Sequence, residues 1–271
     1  MQGPKPRLIA VDLDGTLLPD ADMEAREKDV AALRRAVSAG VVVAIATGRP
    51  HASAETVVER IGLREVPIIS FNGAMVSLPG EDKPLLHRKV PEDVVRELLQ
   101  IAVEQRWHLH YFVGNSLFVP RASHWAWDYY RRTGIRPQPV GDLRKHAREL
   151  PTKIIIMHDP QGVPAIARWL AEHFQGRAYV TRSQPEMVEI AHPGVDKGRA
   201  LALLAERLGI RREETVAIGD GPNDVPLIRA AGLGLAMPNA SDEAKSAADA
   251  VLESNDAPIA EAVERLVLGE R

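Results

Sequence analysis

An α/β architecture, with a parallel sheet covered by helices on both faces and an α+β unit inserted into it, is expected from three features of this 271-residue chain. Short β-branched runs alternate with helical patterns in the first third. The same alternation resumes in the last third, and the stretch between them changes composition. Runs that are apolar on both faces, such as "VVVAIA", suit strands of a parallel sheet sandwiched between helices.

In order, the first third reads "RLIAVDL" strand, "MEAREKDVAALRRAVSAG" helix, "VVVAIAT" strand, "HASAETVVERIG" helix and "VPIISFN" strand. The last third reads "KGRALALLAERLGI" helix, "TVAIGD" strand, "VPLIRAAG" helix, "LGLAMP" strand, then a short helix and "ADAVLE". Eleven of the twelve aromatic residues fall between Trp107 and Tyr179, which marks the middle segment as a separate unit with aromatics in its core. The turn-like "LPGEDKP" announces entry to it and "HPGVDKG" the return. The expected partition is residues 1–82 and 190–271 for the sheet-bearing unit and 83–189 for the insert. The tail, rich in alanine and acids, reads as a capped surface helix.

The length is near the upper limit for one core, which fits two units. With 45% hydrophobic and 26% charged residues and a net charge of -3, the chain has an ordinary globular composition and no electrostatic reason to bind nucleic acid. It has no cysteine, which excludes disulfides and thiolate metal sites and fits a reducing compartment. "MQGPKPRLIAV" has too short an apolar stretch for a signal peptide, and nothing later approaches the ~20 apolar residues of a membrane span. A cytoplasmic protein with no membrane association is expected. Oligomeric state leaves no signature.

In open parallel sheets, ligands sit beyond the carboxyl ends of the strands, so polar groups there carry the functional signal. Four such ends stand out. "IAVDLDGTLL" places Asp12 and Asp14 two residues apart, on the same side of a strand read as continuing extended before Gly15 and Thr16 turn it. Buried acids need a cation or a task, and Mg²⁺ takes a few such oxygens alongside waters and substrate phosphate. "IATGRP" offers the Thr47 hydroxyl and an unobstructed Gly48 amide, with Arg49 beside them, before a helix start suited to an anion. Lys197 opens a helix where an anionic partner would account for its charge. "AIGDGPND" places Asp220 at a strand end and Asn223 and Asp224 on the next turn. Alone, each has a plainer reading: a turn-capping aspartate, a Thr N-cap, a solvated lysine, an Asp/Asn-rich turn. Together they assemble acids for a metal, a hydroxyl and amides for phosphate, and a lysine for its charge.

The four stretches "DLDGT", "ATGRP", "GVDKG" and "GDGPND", in that order, resemble the four motifs of the haloacid dehalogenase superfamily. "FNGA" at 71–74 with "GVDKG" resembles its Cof-like subgroup, which has a large α/β cap between the second and third motifs. The resemblance implies a Rossmann-like core, a cap that governs specificity, and phosphoryl transfer through an aspartyl-phosphate. Asp12 would be the nucleophile and a Mg²⁺ ligand. Asp14 would bind Mg²⁺ through its carbonyl, its carboxyl serving as general acid and base. The Leu13 amide, Thr47, Gly48, Lys197 and Asn223 would hold the phosphoryl group. Asp220 would complete the metal site and Asp224 would support it. Pro222 and "VPLI" after the acidic motif depart from the family pattern, at no proposed ligand. The expected activity is Mg²⁺-dependent hydrolysis of a small phosphorylated metabolite: a sugar phosphate, nucleotide or cofactor phosphate. A phosphomutase with the same nucleophile and a weakly catalytic phosphometabolite sensor are the alternatives. Cap residues with the chemistry to reach substrate are His108, His110, Tyr111, Trp125, Trp127, Tyr129 and Arg131, although core packing or surface exposure is the plainer reading of each.

Overall fold

The computed structural model describes residues 4–19, 24–146, 149–253 and 256–269. The first unit opens with β1 (Leu8–Val11), α1 (Glu27–Ser38), β2 (Val42–Ala46), α2 (His51–Arg60), β3 (Ile68–Ser70), β4 (Met75–Ser77) and β5 (Leu86–His87). The insert follows with α3 (Glu92–Glu104), β6 (His108–Val113), β7 (Ser116–Val119), α4 (His124–Thr133), β8 (Pro137–Pro139), α5 (Leu143–His146), β9 (Lys153–Met157), α6 (Val163–His173), β10 (Tyr179–Thr181) and β11 (Met187–Ala191). The chain returns through α7 (Lys197–Arg207), β12 (Thr215–Gly219), α8 (Val225–Ala230), β13 (Leu233–Ala236), α9 (Asp242–Ala247), β14 (Ala250–Val251) and α10 (Pro258–Val263). The expected start of the first helix at Met23 lies outside the described residues.

The larger sheet has eight strands in the order β14-β13-β12-β1-β2-β3-β4-β5. From β14 to β3 every pairing is parallel, and only β4 and β5 join antiparallel at the edge. Alternation within β1 divides its side chains between two cores, as the two-residue strand period requires. Ile9 and Val11 pack with α1, α2 and α10, while Leu8 and Ala10 pack with Ala200, Leu201 and Leu204 of α7. Both faces are therefore dry, which is why β1, β2 and β12 read as continuous apolar runs.

The tail differs from expectation. Ser241 caps α9, its side chain accepting from the Ala244 amide. By contrast α10 is buried: Ile259 and Val263 join the core, and Asp29 Oδ1 of α1 accepts from the Ala260 amide at 2.8 Å. Its two apolar anchors outweigh its alanine-and-acid surroundings.

The insert forms a six-stranded sheet in the order β10-β11-β9-β6-β7-β8, antiparallel except for β7 against β8. One face carries α3 and α6 over a core that includes Leu98, Leu109, Ile156, Leu170 and Val188. The other face lies on the first unit, where Phe112, Ile155, Met157 and Met187 share a cluster with Phe71, Ala74 and Val195. This shared cluster sets the insert over the carboxyl ends of β1, β2 and β12. Among the described residues no helix is long and apolar enough to cross a membrane.

Candidate active site

β1 stops at Val11, earlier than expected. Gly15 takes a left-handed conformation (φ 88°) and the Leu18 amide returns to the Leu13 carbonyl at 2.7 Å, so residues 12–18 form a tight loop. Asp12 and Asp14 consequently do not share one strand face, and their carboxylates meet different cations. Lys197 Nζ donates to Asp12 Oδ1 at 2.6 Å and to Asp224 Oδ1 at 2.6 Å, with all three side chains buried. Arg49 instead grips Asp14 with two donors, Nε to Oδ2 at 2.8 Å and Nη2 to Oδ1 at 2.5 Å.

Lys197 is the first residue of α7, where Asp196 caps the helix by accepting from the Arg199 amide at 2.7 Å. Burial alone would lower the ammonium's pKa, but the Asp12 and Asp224 carboxylates raise it above the ordinary lysine value. The lysine is therefore a fixed positive charge in a dry site rather than a solvated one.

The remaining acids crowd together. Oxygen atoms of Asp12, Asp220 and Asp224 lie within 4.8 Å of one another. Burial, then the Asp224 charge, pushes the Asp12 carboxyl well above the usual carboxylate range, despite Lys197. Burial and the same neighbour push Asp220 up to about 7, although Thr16 Oγ1 donates to its Oδ1 at 2.7 Å. Three clustered hard oxygen donors, of which Asp12 and Asp220 are held above the usual carboxylate range for want of positive charge, fit a divalent cation such as Mg²⁺. The Asp14 carboxylate stands outside this cluster. Asp224 is braced from behind, its Oδ2 accepting from the Asp220 and Gly221 amides at 3.1 and 2.9 Å.

Of the residues expected to hold phosphate, Gly48 and Asn223 line one cavity with Asp12, and Lys197 reaches Asp12, while Thr47 and Leu13 do not line that cavity. Thr47 is fully buried, and its hydroxyl accepts from the Arg49 amide at 3.0 Å, which leaves the hydroxyl proton to donate elsewhere. Leu13 is buried beside Asp12. Asn223 Nδ2 donates to Asn72 Oδ1 at 3.1 Å. A Cβ at Gly48 would sit 3.0 Å from Asn72 Oδ1, so a larger residue there would press on that amide.

A cavity of about 50 Å³ lies above Asp12, Asp14, Asp220 and Asn223 and is roofed by Tyr129, Arg132, Lys153, Ser183 and Glu189 of the insert. Asp14, Arg132, Ser183, Gln184, Asp220 and Gly221 also line an outer vestibule of about 680 Å³. Of the seven cap candidates, only Tyr129 reaches the cavity. His108, His110 and Tyr111 are buried in the insert, Trp127 is exposed, and Arg131 pairs with Asp128 on the surface. The sequence motifs give no role to Arg49, Asn72, Lys153 or Glu189. Arg49 and Asn72 lie inside the quoted motifs, and a lone charge within the apolar strands "KIIIM" and "MVEIA" was the available signal for the other two.

A family model described as haloacid dehalogenase-like hydrolase matches residues 9–263. The 5-amino-6-(5-phospho-D-ribitylamino)uracil phosphatase of Bacillus subtilis is 33% identical over 257 residues, covering 93% of this chain and 94% of that protein. The HMP-PP phosphatase of Shigella flexneri is 30% identical over 243 residues, covering 89% of this chain and 87% of that protein. The crystal structure of a haloacid dehalogenase-like hydrolase from Bacteroides thetaiotaomicron matches with a TM-score of 0.82 at 28% identity, covering 96% of this chain and 99% of that one. With motif order, sheet topology, clustered acids and full-length likeness in agreement, the chain belongs to the haloacid dehalogenase-like hydrolases and, within them, to the Cof-like phosphatases.

Proposed function

We propose that the protein hydrolyses a small phosphorylated metabolite in a Mg²⁺-dependent reaction that passes through an aspartyl-phosphate on Asp12. One observation carries this reading: Asp12 and Asp14 face one small cavity but are held by different cations, Lys197 and Arg49. Two acids bound in different ways can serve in two capacities. Asp12 attacks phosphorus in line, while Lys197, Thr47, Gly48, Asn223 and the Leu13 amide hold the equatorial oxygens. Asp14, aimed by Arg49, protonates the leaving oxygen and then takes a proton from the attacking water. Asp12, Asp220 and the Asp14 carbonyl would hold Mg²⁺, with Asp224 in support. When bound, the cation supplies neutralisation of the phosphate charge.

The names of the relatives span chemically unlike phosphorylated molecules, which supports the class of substrate rather than one member. The same proposal assigns residues 1–82 and 190–271 to chemistry and 83–189 to selection, the chain crossing between the two sheets near Val90 and again near Val195.

The test is phosphate release from p-nitrophenyl phosphate with Mg²⁺, combined with intact-protein mass spectrometry. Wild type is expected to turn over and to stop when the metal is chelated. Asp12→Asn is expected to lose turnover by at least about 10⁴-fold and to gain no phosphoryl mass. Activity that survives chelation, or a phosphorylated Asp12→Asn protein, refutes the proposal.

A further inference from the structure

Two charges in the cavity roof have no part in this mechanism. Lys153 begins β9 and Glu189 lies in the middle of β11, and both side chains are all but inaccessible, at 1% and 2% exposure. Lys153 Nζ donates to Glu189 Oε2 at 3.0 Å and reaches across to the Gly48 carbonyl at 2.5 Å. Glu189 Oε2 also accepts from Asn72 Nδ2, and its Oε1 from Ser183 Oγ. Asn72 Oδ1 in turn accepts from Asn223 Nδ2 at 3.1 Å. An unbroken series of hydrogen bonds therefore joins the insert to the amide beside the phosphate position.

The direction of this series is not free. A carboxylate paired with a buried ammonium can only accept, so Asn72 must turn its NH₂ toward Glu189 and its oxygen toward Asn223. Asn223 must then answer with its own NH₂. One N–H is spent on Asn72 and the other is left for an anion, while Oδ1 is held on the side of Gly221, where a Cβ would meet it at 2.5 Å. A reversed Asn223 would offer a carbonyl oxygen to a phosphoryl group and repel it.

The backbone is committed to the same end. Phe71, Asn72 and Gly73 are left-handed in succession, with φ of 51°, 55° and 95°. Such a conformation persists in a non-glycine residue only where its surroundings enforce it. Here the Asn72 amide donates to the Thr47 carbonyl and the Phe71 amide to the Arg49 carbonyl, both at 3.0 Å. The strained turn thus delivers Asn72 to the gap between Glu189 and Asn223.

We infer that Lys153 and Glu189 are positioning residues which, through Asn72, fix the polarity of the Asn223 amide toward the transferred phosphoryl group. This rests on the phosphatase reading above, and it places part of the phosphate site under the control of the insert.

The experiment compares three variants for Mg²⁺-dependent binding of inorganic phosphate by calorimetry and for turnover of p-nitrophenyl phosphate. Glu189→Gln can keep an oxygen toward Lys153 and Asn72 and an NH₂ toward Ser183, but it leaves the buried ammonium without its counter-charge. It should therefore bind phosphate more weakly than wild type yet clearly better than the variants that lose the hydrogen bond to Asn72. The double variant Lys153→Met, Glu189→Leu replaces the buried pair with apolar groups of similar size, an exchange that need not weaken a fold. It should melt near the wild-type temperature yet bind phosphate at least about tenfold more weakly and turn over about 10²-fold more slowly. Asn72→Gly tolerates the left-handed backbone and removes only the amide. It should reproduce these losses, and adding it to the double variant should bring no further loss. If the double variant does not fold, Asn72→Gly and Glu189→Gln alone decide. Wild-type phosphate affinity in Asn72→Gly, or equal damage in Glu189→Gln, overturns the inference. Absence of turnover in the wild type would strike the phosphatase reading, while the calorimetric comparison would still read the relay.

Discussion

Arg49 decides what Asp14 can do. A guanidinium fork with two donors to one carboxylate fixes the plane of that carboxylate as well as its place. Its Nη1 also donates to the Arg132 carbonyl at 3.2 Å, which ties the aim of Asp14 to α4 of the insert. Lysine can supply the charge but not the plane. Arg49→Lys should therefore lower kcat by about 10²-fold on an alkyl phosphate, whose leaving oxygen needs a well-aimed proton, and by about tenfold or less on p-nitrophenyl phosphate. Equal losses on both substrates would show that Arg49 serves phosphate binding instead. The acids, Thr47 and Lys197 were legible in the sequence because each ends or opens an apolar element. The role of Arg49 was not, because its partner Asp14 lies 35 residues away and no local pattern records that meeting. Lys153 is harder still, its bond to the Gly48 carbonyl spanning 105 residues.

Elements read well wherever apolar periodicity was long, as in β1, β2, β12 and α7. They read poorly where a loop took over early, as after Val11, or where composition hid a short apolar stripe, as in α10. β6 adds a pH liability that no motif announced. His108 and His110 project from it into the interior, their rings 5.4 Å apart, and neither nitrogen of His110 has a hydrogen-bond partner among the described residues. Burial, helped by the Arg121 and His124 charges, lowers His108 to about 4. Burial and His108 hold His110 well below the ordinary histidine value. Unfolded histidines protonate near pH 6.5, so from there down toward pH 4 the unfolded chain holds more protons than the folded one. Stability then falls as pH falls, by up to about 1.4 kcal/mol per pH unit per histidine. His110→Phe removes one such group, and its ring can pack on Tyr129 as the imidazole does, at 5.0 Å. Denaturant midpoints at pH 7.5 and 5 should show a smaller acid loss in the variant than in wild type. An unchanged loss would mean that His110 is not neutral in the folded state.

At the scale of the whole molecule, the two units meet in the vestibule, where Arg132, Arg182, Ser183 and Gln184 face Asp14, Gly15, Asp220 and Asn239, and the proposed function makes this the place where chemistry and selection would adjoin. Polar side chains from the insert line this entrance, and among the described residues no aromatic does: Tyr129 lines the inner cavity, while the others pack in the interior or, like Trp127, stand exposed elsewhere. Gln184→Ala should therefore lower kcat/KM by about tenfold for the best substrate found in a panel of phosphometabolites, while p-nitrophenyl phosphate changes by less than about threefold. Parallel losses would place Gln184 in support of the chemistry rather than of selection. The apolar cluster shared by the two units limits how this selectivity could be transplanted. Phe71, Ala74 and Val195 lie on the side of that cluster belonging to the eight-stranded unit, and Phe112, Met157 and Met187 on the side of the insert. Phe71 also belongs to the strained turn that presents Asn72. An engineer who grafted this insert onto a different catalytic body would have to carry the turn and its apolar seat along with it, so the unit of exchange is the insert together with its socket.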